Sequence, residues 1–66
     1  MEFSANLRRL RKAAGFTQEA LAEKLHLTGQ AVSRWETGDG YPEITLLPTL
    51  ADLLGVTVDA LCEMRS

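Results

Sequence analysis

Sixty-six residues allow one domain, and a chain this short buries only about 60% of its unfolded surface, so nearly every element must contribute to the core. With 45% hydrophobic and 24% charged residues the composition excludes a disordered chain, and there is no run of about 18 apolar residues to span a membrane. The formal net charge is −2, which argues against a uniformly basic surface.

The charge is polarised. Residues 1–38 carry six Lys/Arg (Arg8, Arg9, Arg11, Lys12, Lys24, Arg34) against four acids, whereas residues 39–66 carry only Arg65 against five. Cys62 is the only cysteine and cannot form an internal disulfide, and the opening MEFSANLRRLRK lacks an apolar stretch of secretory length. Both features point to a reducing, cytoplasmic setting.

Helical periodicity dominates from the start. Phe3, Leu7, Leu10 and Ala14 fall on one helix face, and Gly15 stops that helix. Three apolar-threonine pairs then follow: Phe16-Thr17, Leu27-Thr28 and Val56-Thr57. In each case an apolar residue lies four positions beyond the threonine, at Leu21, Val32 and Leu61. This is the pattern of a hydrophobic staple around a capping hydroxyl, and it predicts three helix starts.

Between them, Ile44, Leu47, Leu50, Ala51 and Leu54 predict a further helix, with Thr45 as its cap, Pro48 in its first turn and Gly55 closing it. The reading is five helices over roughly 4–14, 18–25, 29–36, 46–54 and 58–64, with one longer loop from Thr37 to Ile44.

The second and third predicted helices are short and are joined by His26-Leu27-Thr28. Helices this short are marginal alone, so packing must hold them at a fixed angle. Ala22 is small enough to let the two axes approach, and Leu21, Leu25, Leu27, Val32 and Trp35 are expected to point to a shared interior. That is the layout of a helix-turn-helix, here from Thr17 to Gly38, in which the second helix enters the major groove of DNA.

The stretch TQEALAEKLHLTGQAVSRWETG resembles the helix-turn-helix of the phage lambda repressor and Cro superfamily, also called the xenobiotic-response-element (XRE) type. The similarity continues through YPEITLLPTLADLLGVTVDAL and covers nearly the whole chain. It implies an all-α, compact five-helix lambda-repressor-like DNA-binding domain spanning residues 1–66.

It also implies roles. Thr28 caps the recognition helix, while Gly29, Gln30, Ser33 and Arg34 fall at the groove-facing positions. Gln30 suits adenine and Arg34 guanine, each discriminating by roughly 1–3 kcal/mol. Gln18, with Thr17 and Thr28, is placed to hold phosphate oxygens at helix starts, and Arg8 and Lys12 are candidates for further backbone contacts. By the same resemblance, Arg11 pairs with Glu36 as a structural tie.

Three departures stand out. His26 occupies a turn position that often holds glycine, which implies strain. Gly29 offers DNA no side chain. The loop after the recognition helix carries Asp39 and Glu43 where basic residues are usual, which predicts weak binding by a single copy.

Leu53, Val58, Cys62 and Met64 exceed what the core should need and mark a candidate dimer surface. A two-fold dimer would place two recognition helices about 34–36 Å apart, on a near-palindromic operator.

No metal-ligand spacing, phosphate loop or activated nucleophile is present, so neither a metal, a cofactor nor an enzymatic activity is expected. The expected function is sequence-specific binding of double-stranded DNA by a transcriptional regulator, a dimeric repressor that acts by occupying a promoter. The alternative is a protein-interaction or antitoxin-type module with weak or lost DNA binding, partnered by a toxin or an effector domain. The chain reads either as a complete regulator or as the N-terminal module of a longer one.

Overall fold

The computed structural model describes residues 2–62. Helix α1 spans Glu2–Ala13, α2 Gln18–Lys24 and α3 Gly29–Thr37. A 3₁₀ turn at Ile44–Leu46 leads into α4, Leu47–Leu54, and α5 covers Val58–Leu61. There is no strand among the described residues. The predicted extension of the last helix to 64 lies outside them.

All three threonine-led helix starts form, two of them with the expected capping bond. Thr17 accepts from the Ala20 amide at 3.0 Å and Thr57 from the Ala60 amide at 3.0 Å, each from an extended backbone ahead of the helix. Thr28 stands at the same position before α3 with the same extended backbone, but its hydroxyl makes no capping bond. The Ala31 amide goes instead to the Thr28 carbonyl at 3.0 Å.

The turn between α2 and α3 is a Schellman closure built on histidine. The His26 amide bonds Glu23 O at 3.1 Å and the Leu27 amide bonds Ala22 O at 2.8 Å, with His26 at φ 61°. A non-glycine residue at such a φ is uncommon and strained. Leu27, expected inside, is 39% exposed, because this turn carries it past the end of α2.

The start of α4 also differs from expectation. Pro48 has no N–H to give the Ile44 carbonyl, which the Leu47 amide takes in a tighter turn. The α-helix therefore begins after Leu46, Thr45 caps nothing, and Ile44 is turned outward at 79% exposure. On α1, Ala14 likewise lies beyond the helix end and is exposed.

The core gathers Phe3 and Leu7 from α1, Leu21, Ala22 and Leu25 around α2, Val32 and Trp35 from α3, Leu50, Ala51 and Leu54 from α4, and Leu61 from α5. Every helix contributes, as a chain of this size requires. Both α1 and α2 pack on α3, so that helix rests on two supports. Asn6 closes the far side: its side-chain amide donates to the Ala60 and Leu61 carbonyls at 2.8 and 2.9 Å, satisfying carbonyls at the end of α5.

Candidate nucleic-acid interface

Helix α3 has two unlike faces. Val32 and Trp35 are buried, while Gln30 and Arg34, one turn apart, are exposed and Ser33 is half-buried beside them. Neither Gln30 nor Arg34 makes a side-chain hydrogen bond to another described residue, which leaves an amide and a guanidinium with their donors unspent. Both suit base edges in the major groove. Gly29 is half-buried at the first position of α3, and exposed Thr28 precedes it with its hydroxyl uncommitted.

The other end of α3 is tied to the rest of the molecule. Arg11 Nε donates to Glu36 Oε2 at 2.6 Å and Arg11 Nη2 donates to Glu36 Oε1 at 3.2 Å. Arg11 Nη1 donates to the Phe16 carbonyl at 2.8 Å. The side chains of Arg11 and Glu36 are only 9% and 3% exposed. A two-bond, fully hydrogen-bonded geometry is what a charge pair needs to persist at such burial.

Gln18, a candidate phosphate contact, donates from its side-chain amide to Glu36 Oε1 at 3.1 Å, so one of its two N–H donors is spent inside the protein. This third arm of the network has no local sequence signal, since the two residues are separated by 18 positions.

Among the cations of α1, Arg9 donates to Asn6. Arg8 and Lys12, both exposed, make no ion pair or side-chain hydrogen bond to another described residue. Thr17 is exposed, its hydroxyl already engaged as the cap of α2.

Gly38 ends α3 in a left-handed conformation at φ 87°, with the Asp39 amide bonded to Arg34 O at 2.9 Å. Beyond it Tyr41 packs its ring on Phe3, centroids 5.8 Å apart.

The candidate dimer surface is smaller than the composition suggested. Leu53 and Cys62 pack partly buried against the core, Val58 is 37% exposed, and Met64 lies outside the described residues. The larger exposed apolar groups are Tyr41 and Ile44. Among the described residues no group of three or more His, Cys, Asp or Glu could hold a metal ion, and no helix is long and apolar enough to cross a membrane.

A short helix braced behind, a Schellman turn and an outward polar stripe define a helix-turn-helix domain. Residues 7–61 match the helix-turn-helix family model HTH_3, and the chain belongs to this XRE-type family of DNA-binding domains.

It is 43% identical over 61 residues to the HTH-type transcriptional activator BcrR of Enterococcus faecalis, covering 92% of this chain and 30% of that protein. It is 31% identical over 62 residues to the cryptic phage CTXphi transcriptional repressor RstR of Vibrio cholerae, covering 94% of this chain and 55% of that one. The chain thus spans between about a third and about half of the length of these relatives. These relatives, like two HTH-type transcriptional regulators of Bacillus subtilis that the chain also resembles, carry the names of transcriptional regulators.

The fold also matches part of the structure of hydroxypropylphosphonic acid epoxidase from S. wedmorenis, with a TM-score of 0.82 and 33% identity. The match covers 89% of this chain and 31% of the epoxidase chain.

Proposed function

We infer that this chain is the DNA-reading module of a sequence-specific transcriptional regulator, with α3 docked in the major groove. The observation that carries the reading is the outward stripe of Gln30, Ser33 and Arg34, whose side chains make no hydrogen bond to another described residue, on a helix locked from behind. Arg34 pairs with guanine and Gln30 with adenine, and Ser33 adapts to either a base or a phosphate. Gly29 itself brings no side chain to the base edges.

Thr28, the remaining N–H of Gln18, Arg8 and Lys12 hold phosphates and fix register without reading sequence, and Thr17 sets the helix start beside them. With Asp39 and Glu43 in the adjoining loop, one copy binds weakly. A homodimer on a near-palindromic operator offsets this, because the second half-site is bound as an intramolecular step. Occupancy of a promoter by that dimer represses transcription.

Selection from a random double-stranded DNA pool at about 50 mM salt tests the reading, since phosphate-driven binding is strong there. Enrichment of a two-fold-symmetric motif supports it. Recovery of unenriched DNA contradicts it and favours the second reading, a protein-interaction module. The acidic loop, and the presence of this fold within the chain of an epoxidase, motivate that alternative.

A further inference from the structure

Gly29 is the groove-facing position that brings no side chain, and its surroundings give a reason. Its φ lies outside the left-handed range, so the backbone does not demand glycine there. A Cβ there would meet Glu19 Cγ at 3.2 Å, tighter than ordinary contact, and Glu19 Oε2 at 3.4 Å, so a side chain at 29 requires Glu19 to give way. Glu19, exposed at the second position of α2, therefore lies across the start of α3 and fills the volume a side chain at 29 would take.

Its carboxylate makes no ion pair or hydrogen bond to another described residue. Helix α3 has no acid in its own first turn and no hydroxyl cap from Thr28, so a carboxylate at this end also suits the helix dipole.

We propose that Glu19 is a specificity-determining residue, which stands in for the side chain Gly29 lacks and accepts a hydrogen bond from the 4-amino group of cytosine. The base pair concerned is the one nearest the N-terminus of α3 in each half-site. An ionised carboxylate only accepts hydrogen bonds. In the major groove cytosine presents an amino donor, guanine presents two acceptors, thymine an acceptor and a methyl group, and adenine an acceptor beside its donor. Cytosine alone offers a donor with no acceptor on the same base to repel the carboxylate. The same charge repels phosphates, so Glu19 lowers affinity for every sequence while sharpening the choice at one position.

This inference rests on the DNA-reading function above, and the test separates the two. Pool selection is run with the wild-type chain and with Glu19→Gln, which keeps the shape but offers the donor and acceptor that suit adenine. The expected result is a shift from cytosine to adenine at one position per half-site, a loss of cytosine preference of roughly 5- to 150-fold, and tighter binding to random DNA. Gly29→Ala, which pushes Glu19 aside, should also lose the cytosine preference without gaining one for adenine.

A wild-type motif that Glu19→Gln leaves unchanged overturns this inference alone. Changes spread over several positions also overturn it, because they would mean a displaced helix rather than a lost contact. No motif from the wild-type chain overturns the DNA reading and this inference together.

Discussion

The two ends of the recognition helix are held by opposite means. At its C-terminal end, Glu36 is buried and receives Arg11 and Gln18, Trp35 is packed in the core, and Gly38 closes the last turn. At its N-terminal end, the Thr28 hydroxyl caps nothing, Leu27 is partly exposed, and the neighbouring carboxylate of Glu19 makes no hydrogen bond or ion pair with another described residue. One end has its polar groups satisfied by the fold; the other keeps them available. A helix that must present the same face to DNA each time can be fixed from one end, provided that end is rigid, and the free end can then be spent on recognition.

The contrast can be broken most severely at the buried end. Glu36→Ala leaves the Arg11 guanidinium buried without its partner, a loss of about 3–5 kcal/mol. That is comparable with the whole stability of a domain this size, roughly 3–10 kcal/mol. Urea unfolding followed by circular dichroism should show the variant largely unfolded at 25 °C.

The capping threonines give a finer comparison. Thr17→Ala removes a formed cap and should cost about 1 kcal/mol, whereas Thr28→Ala should cost less than about 0.5 kcal/mol, having no such bond to lose. Equal losses in thermal melts would mean that Thr28 caps in solution.

His26→Gly relieves a left-handed backbone, and the urea midpoint should rise by the equivalent of about 0.5–1 kcal/mol, the gain being reduced by the freer unfolded chain. An unchanged or lower midpoint would mean that the turn carries no net strain. Smallest is the stability effect of Arg34→Ala, within about 0.5 kcal/mol, since the side chain is exposed and makes no hydrogen bond to another described residue. A larger loss would assign Arg34 a structural role.

Which of these features the sequence reveals depends on how local they are. The helix starts at Thr17 and Thr57 and the stop at Gly55 are written within four or five residues, and all three form. Pro48 misleads because it fits the first turn of a helix begun at Thr45 as well as of one begun after Leu46; only the pairing of the Ile44 carbonyl decides between them.

The Arg11–Glu36 tie spans 25 positions and came from the family resemblance rather than from any spacing rule. Asn6 reaches across 54 positions to α5, and Gln18 gives one N–H to Glu36. Both depend on how helices sit against each other, which periodicity does not encode. No local pattern marks Glu19; its placement against Gly29 emerges only when α2 and α3 are packed.

The central claim is that the outward face of α3 reads bases while the network behind it holds the helix still. The direct measurement is the ratio of affinities for the selected site and a scrambled site, compared between the wild-type chain and Arg34→Ala at one salt concentration. The account predicts that this ratio falls by roughly 5- to 150-fold, with folding intact. A ratio that stays the same would contradict it, and would mean that α3 lies against something other than base edges.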